Sequence, residues 1–168
     1  EALALRAFMH FDLMRLFAEQ ITVNKAADGI PYATAFSLKT PDFESLEKNY
    51  EHVIADLSEA ESLLSGEDDY KDASDFMKNR EIHLNLHAVR ALMARVYLTK
   101  GDKNNALTYA KRVIEESGRT LKSKTEVEND LAGVLSVKEC LFGIYFPGFY
   151  NLVNPKLQQT ISYSSLDI

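Results

Sequence analysis

Tryptophan is absent from this sequence, cysteine occurs once, and basic residues are in the minority, with 19 Lys and Arg against 25 Asp and Glu. No cluster of Lys and Arg is dense enough to follow a phosphate backbone, which argues against a nucleic-acid partner. Cys140 has no second cysteine for an internal disulfide, and its simplest interpretation is a small buried side chain. Fold and function must therefore be argued from the pattern of the remaining residues.

Long apolar runs are also missing. No run approaches the roughly 20 residues that span a bilayer, and no basic stretch followed by an apolar one indicates a signal peptide. Glu1 lies inside a helical pattern with no methionine or cap before it, so we expect the chain to be part of a longer protein. With 46% hydrophobic residues, positions 1–168 can form one compact domain.

Residues 84–118 carry the clearest pattern, two helical segments joined by the break Gly101-Asp102. Small or wedge-shaped side chains stand where two helices would cross: Ala94, Tyr97, Ala106 and Ala110. Alanine lets the two backbones approach, and glycine tolerates the positive φ that often ends a helix. This order resembles a tetratricopeptide repeat and predicts an antiparallel helical hairpin.

A further helix is predicted at the start of the chain. Residues 2–19 are apolar on nearly every face of a helix, which predicts burial on more than one side. Arg6 and Arg15 must then pair with an acid or extend their charge to solvent, and we interpret them as structural. Residues 20–43 lack helical spacing and contain two prolines, which predicts a long ordered loop.

The next helix is predicted for residues 44–64, where apolar side chains recur on one face only. Ser45 or Asp42 would cap its N-terminus. This predicts a surface helix with one face turned inward.

The chain also repeats itself weakly. Residues 5–9, LRAFM, match residues 89–93, VRALM, and Val53-Ile54 aligns with Val113-Ile114. The first two helices would then form a looser hairpin with a long insertion in its joint. Two repeats are fewer than the three or so that usually bury a solenoid core, so more chain or a packed partner domain is expected.

The C-terminal part is predicted to be less regular. Residues 125–135 have helical spacing and predict a short helix, whereas Leu141–Phe146 predicts a buried strand or extended segment. Residues 148–168 are polar and aperiodic, which predicts loop. The expected fold class is therefore all-α, with tetratricopeptide-like antiparallel hairpins in an alpha-alpha superhelix and a short extended segment near the C-terminus.

Candidate metal ligands are few. His83 and His87 are spaced i, i+4 and would share one face of a helix, but no third ligand lies near them, so packing or capping roles are favoured. Residues 66–78 contain four aspartates without the alternating order of a calcium loop, which favours a solvated loop. These aspartates are Asp68, Asp69, Asp72 and Asp75.

No catalytic arrangement is recognisable. A glycine-rich phosphate loop, a nucleophile elbow and a serine, histidine and acid set are all missing from the sequence, so we predict no enzyme activity, no catalytic residue and no cofactor. Four tyrosines in predicted loops could offer a ring to a sugar, but packing inside the fold is the favoured role for each. They are Tyr32, Tyr70, Tyr150 and Tyr163.

Five stretches, in order, resemble the SusD/RagB family of nutrient-binding outer-membrane lipoproteins. They are LRAFMHFDLMRLFA at 5–18, GIPY at 29–32, NYEHVIADLSEAESLL at 49–64, HAVRALMARVYLTKGDKNNALTYAKRVIEES at 87–117 and SVKECLFGIYF at 136–146. The resemblance implies a tetratricopeptide-like scaffold that sits against a TonB-dependent (SusC-like) outer-membrane transporter and helps to deliver glycans or peptides.

The resemblance covers only the helical part of such a protein. Neither the lipid-anchored N-terminus of the family nor most of its loop-rich C-terminal half has a counterpart here, and Cys140 is not the lipidated cysteine. No ligand-binding residue of the family can be assigned to a position of this sequence. The alternative is a free-standing repeat domain that binds a protein segment in a helical groove.

Overall fold

A computed structural model describes residues 1–39, 41–65, 80–129, 139–144, 146, 148 and 151–152 of the chain. The elements of this part are helices α1 to α5, strands β1 and β2, and one 3-10 turn. In chain order they are α1 Ala2–Phe17, β1 Asp28–Pro31, β2 Phe43–Ser45, α2 Leu46–Leu64, the 3-10 turn Arg80–Ile82, α3 Leu86–Lys100, α4 Lys103–Glu116 and α5 Lys124–Asn129. The predicted all-α class is confirmed.

The first four helices pack in sequence, α1 on α2, α2 on α3 and α3 on α4. One apolar core runs through the first three of them. Its fully enclosed side chains include Ala7, Phe11, Val53, Leu57, Val89 and Val96. Burial of this apolar area is the main force that holds the helices together. None of the helices in the described ranges is long and apolar enough to cross a membrane.

The hairpin of α3 and α4 forms at the break that was predicted. Gly101 adopts a φ of 87°, in the left-handed region, and ends α3. The amide of Asp102 donates to the carbonyl of Tyr97 at 2.9 Å, and the Asp102 carboxylate caps α4 by accepting from the amide of Asn105 at 3.1 Å. Ala106 is buried against α3, as expected for a close crossing.

Helix α2 also agrees with its prediction. Ser45 is the N-cap, and its side chain accepts a hydrogen bond from the amide of Lys48. The inward face carries the predicted apolar residues, including Leu46, Tyr50, Val53, Leu57, Ala60 and Leu64.

Helix α1 differs from its prediction, because only one of its apolar faces is buried. Ala4, Ala7, Phe11 and Met14 point into the core. The opposite face is exposed to between 42% and 77% and consists of Leu5, Met9, Leu13, Leu16 and Phe17. Helices α2 and α3 and strand β1 pack on α1, and they leave this second face exposed. We call the exposed set the α1 apolar stripe.

The predicted loop between α1 and α2 contains a short antiparallel strand pair, which the sequence did not indicate. Asp28 lies opposite Ser45, and Pro31 lies opposite Phe43. The pair approaches α2 so closely that a Cβ at Gly29 would lie 2.0 Å from Oδ1 of Asn49. Glycine is therefore required there for space.

The C-terminal segments agree in part with the predictions. The predicted helix at 125–135 begins at Lys124, and the described residues follow it to Asn129. Residues 141–144 form no strand, and they are half-buried or exposed, so the interpretation as a buried strand is wrong there. The amide of Gly143 donates to the carbonyl of Glu81 at 2.6 Å, which ties this segment to the turn before α3. The predicted acidic loop and most of residues 148–168 lie outside the described residues.

Candidate functional site

One polar cluster joins α1, α2 and the segment after β1. Nε and Nη2 of Arg6 donate to the two carboxylate oxygens of Asp56 at 2.7 and 2.6 Å. The hydroxyl of Tyr32 donates to Oδ2 of Asp56 at 2.7 Å, and Nη1 of Arg6 donates to the carbonyl of Thr34 at 2.8 Å. A single carboxylate thus accepts three hydrogen bonds from two other parts of the fold. We call Arg6, Asp56 and Tyr32 the first arginine cluster.

Burial and hydrogen bonding set the ionisation of this cluster. Burial alone would raise the pKa of Asp56, but the hydrogen bonds from Arg6 and Tyr32 outweigh it and lower the pKa below the ordinary value. The pKa of Tyr32 is raised, first by burial and then by its hydrogen bond to Asp56. Asp56 is therefore a carboxylate at neutral pH, and Tyr32 keeps its proton as the donor.

Two imidazole rings flank the ring of Tyr32. The ring centroids of His10 and Tyr32 lie 4.1 Å apart. The ring of His52 is stacked on that of Tyr32, with centroids 5.0 Å apart. His10 also contacts backbone atoms of residues 6 and 33, whereas Nε2 of His52 lies 2.8 Å from a carboxylate oxygen of Glu44. Tyr32 is only 6% exposed and is enclosed by these rings.

A second cluster holds the α3–α4 hairpin to α2. Nε of Arg90 donates to Glu61 at 2.8 Å, and Nη1 of Arg90 contacts a carboxylate oxygen of Glu116. Nη1 of Arg112 lies 2.8 Å from Glu61, and the hydroxyl of Tyr109 donates to Glu61 at 3.2 Å. Arg90 is 5% exposed, so its charge depends on these carboxylates. We call Arg90, Glu61 and Glu116 the second arginine cluster.

The two clusters occupy equivalent positions of the sequence repeat. The alignment of LRAFM with VRALM places Arg6 on Arg90, and the alignment of Val53 with Val113 places Asp56 on Glu116. In both hairpins the arginine of the first helix binds the acid of the second. The weak internal repeat is therefore a structural repeat.

Tyrosines beside the second cluster form the wedge that the sequence predicted near the turn. The rings of Tyr97 and Tyr109 are stacked, with centroids 5.7 Å apart. Burial and the neighbouring Glu61 raise the pKa of Tyr109 to about 12. Both tyrosines thus remain protonated and serve to join α3 to α4.

An open apolar groove of about 470 Å³ lies where α1 and α3 meet residues 139–144. The rings of Phe8 and Phe142 line the groove and pack edge to face, with centroids 6.4 Å apart. Cys140 lines the groove and is half-buried, so the prediction of a buried side chain is only partly met. Arg95 and Glu139 supply charge at its lining.

The tyrosines considered as candidate sugar platforms are not brought together in the described part of the chain. Tyr32 is buried and bonded to Asp56, so it offers no exposed ring. Tyr70, Tyr150 and Tyr163 lie outside the described residues, as do the four aspartates of the acidic loop.

The histidine pair does not have the geometry that its spacing suggested. Helix α3 begins at Leu86 with Asn85 as its N-cap, so His83 precedes the helix and does not share a face with His87. His83 lies 3.4 Å from a carboxylate oxygen of Glu1, and His87 is buried. Across the described ranges, no group of three or more His, Cys, Asp or Glu side chains could hold a metal ion.

The arginine clusters were missed as sites by sequence reasoning. Arg6 and Asp56 are 50 positions apart, so no local pattern connects them. The signal that could have found them is the repeat register, which aligns Arg6 and Asp56 with two members of the second cluster.

Paired helical hairpins, each closed by an arginine and an acid, define the class as a tetratricopeptide-like helical repeat protein. Residues 1–98 match a SusD-like family described as "Starch-binding associating with outer membrane". The chain belongs to this SusD-like family.

The solved structures agree with the family match. A SusD superfamily protein from Bacteroides thetaiotaomicron is 31% identical, with a TM-score of 0.72 over 89% of this chain. This chain spans 31% of the length of that protein. A search among curated proteins gives no match.

Proposed function

We propose that residues 1–168 form one domain, the helical scaffold of a nutrient-binding protein that takes up glycans at the outer membrane. The observation that carries the proposal is the shared fold and sequence with a SusD superfamily protein over 89% of the chain. The description of the matching family, starch-binding and associated with the outer membrane, supports the ligand class and the location.

In this proposal the protein binds and delivers its ligand without transforming it. Its partner is a TonB-dependent transporter of the SusC type, and a lipid anchor outside residues 1–168 holds it on the cell surface. The helices supply the frame. Of the four tyrosines that could have stacked on a sugar, Tyr32 lies in the described part of the chain, and it is enclosed by its neighbours. Ligand contacts are therefore expected mainly outside the two hairpins.

Glycan and peptide arrays test the binding function. We expect the protein encoded by the full reading frame to bind a set of oligosaccharides saturably, and residues 1–168 alone to bind them weakly. Chromatography of the recovered sugars should show unchanged chain lengths. Shortened sugars would contradict a purely binding role, and absence of glycan binding by the full-length protein would contradict the proposal itself.

The second candidate is a repeat module that binds a protein segment, and the α1 apolar stripe favours it. Five neighbouring apolar side chains on one helix face are typical of a protein-binding surface. Saturable retention of peptides with no retention of glycans by the full-length protein would favour this function over glycan uptake.

A protease-shaving experiment tests the location. Intact cells that express the full-length protein are treated with a protease that cannot enter them, and the protein is followed by immunoblotting. A surface lipoprotein is degraded, while a periplasmic marker is retained. Protection of the protein in intact cells and degradation only after lysis would contradict the surface location.

A further inference from the structure

The segment that follows β1 is held to α1 by a histidine that accepts a hydrogen bond. The backbone amide of Ala33 donates to Nε2 of His10 at 3.1 Å. Nδ1 of the same ring lies 2.8 Å from the backbone carbonyl oxygen of Arg6, which can only accept. Nδ1 must therefore carry the proton and Nε2 the lone pair, so this geometry requires a neutral imidazole in one tautomer.

Protonation of His10 is incompatible with this contact. A proton on Nε2 would remove the acceptor and would point one N–H at another. The hydrogen bond from Nδ1 to the Arg6 carbonyl would remain, so the ring would keep its place on α1 while the contact to Ala33 is lost. Imidazole is the side chain that ordinarily changes its charge between about pH 5 and 8.

The charged groups beside the Tyr32 ring are Arg6 on α1 and Asp56 on α2, which bind each other. Tyr32 lies against the His10 ring from the segment after β1, and His52 lies beyond it on α2. Glu44 on β2 faces His52, at 2.8 Å, rather than His10.

The contacts made by the two imidazoles beside Tyr32 therefore respond to protonation in opposite ways. His52 lies against the carboxylate of Glu44, and this ion pair is strengthened when the ring is protonated. His10 accepts from a backbone amide, and this hydrogen bond is lost when the ring is protonated. His52 is thus a natural control. It contacts the same tyrosine ring, but its own contact to Glu44 is strengthened by protonation, whereas that of His10 to Ala33 is lost.

We propose that His10 is a pH-sensitive latch that holds the backbone amide of Ala33 on α1 when neutral and releases it when protonated. The hydroxyl of Tyr32 and Nη1 of Arg6 retain their own contacts to Asp56 and Thr34. Release is therefore local and leaves the helices packed. This inference does not depend on the ligand or the partner of the protein.

Amide hydrogen exchange measured by NMR on this chain between pH 8 and pH 5 tests the latch. Protection factors, corrected for intrinsic exchange, should fall at Ala33 by up to about tenfold per pH unit once the ring titrates. Protection of Val53 in the core of α2 should stay constant. Equal protection of Ala33 at pH 8 and pH 5 would overturn the proposal.

Two variants separate the histidines. His10→Gln offers a side-chain oxygen that can accept from Ala33 and does not titrate, so protection of Ala33 should become independent of pH. His52→Gln should keep the pH dependence of the unmodified chain. If His10→Gln does not fold, the unmodified chain and His52→Gln still test the proposal. Loss of the pH dependence of Ala33 protection in His52→Gln would show that His52, and not His10, causes it, and would overturn the proposal.

Discussion

Replacing Asp56 by asparagine tests whether the first arginine cluster holds the first hairpin together. Asparagine keeps the size of the side chain but removes the charge and one of the two oxygens that accept from Arg6 and Tyr32. The Asp56 side chain is 10% exposed and that of Arg6 is 26% exposed. Breaking a buried ion pair costs about 3–5 kcal/mol, and because solvent still reaches Arg6 we expect a loss of about 2–3 kcal/mol.

The matched control is Glu116→Gln, at the equivalent position of the second hairpin. The Glu116 side chain is 44% exposed, and Arg90 keeps its hydrogen bond to Glu61 when Glu116 loses its charge. Solvent-exposed ion pairs contribute less than about 1 kcal/mol. We therefore expect Asp56→Asn to lower the free energy of unfolding clearly more than Glu116→Gln.

Urea denaturation followed by circular dichroism gives both values at pH 7. The folded-state pKa of Asp56 lies below its unfolded value of 3.8, so its contribution is present above that pH and is lost as the pH falls through the folded pKa. The difference in free energy of unfolding between the unmodified chain and Asp56→Asn should become smaller from pH 7 to pH 3. Equal costs for the two variants, or a difference that does not become smaller, would refute the reasoning.

Further substitutions test the packing, each by the free energy of unfolding in urea. Gly29→Ala puts a Cβ 2.0 Å from Oδ1 of Asn49, and we expect it to lower the free energy of unfolding by about 2–3 kcal/mol. An unchanged free energy of unfolding would contradict the close approach of the strand pair. Gly101→Ala should cost about 1 kcal/mol because of its φ of 87°, and no cost would mean that the turn is different. Ala106→Leu should cost about 1–3 kcal/mol by overpacking the helix crossing; an unchanged free energy of unfolding would show that the assigned register is wrong. Leu16→Glu, at a side chain 73% exposed, should change stability by less than about 0.5 kcal/mol, and a large loss would show that the α1 apolar stripe is covered.

The hairpin of α3 and α4 could be predicted because its determinants are local. A glycine with positive φ, an aspartate cap and alanines at the crossing all lie within one short stretch of sequence. The one-sided pattern of α2 is local in the same sense. Helix α1 was harder, since periodicity shows that a face is apolar but does not show what packs on it.

The contents of the site depended on contacts between distant residues. Tyr32 could be interpreted as a sugar platform or as a packed side chain, and only its hydrogen bond to Asp56, 24 positions away, decides for packing. The short strand pair was missed because glycine and proline in residues 28–31 are poor strand formers. The repeat register did contain the arginine clusters, but it required reading two alignments together.

The central claim, that this chain is the scaffold of a glycan-uptake protein, is tested most directly by affinity purification of the full-length protein from detergent-solubilised outer membranes. Mass spectrometry should identify a TonB-dependent transporter at close to one copy per copy of the protein, and an unrelated outer-membrane lipoprotein purified in parallel should lack it. Recovery of the protein from the membrane fraction without any TonB-dependent transporter would contradict the account.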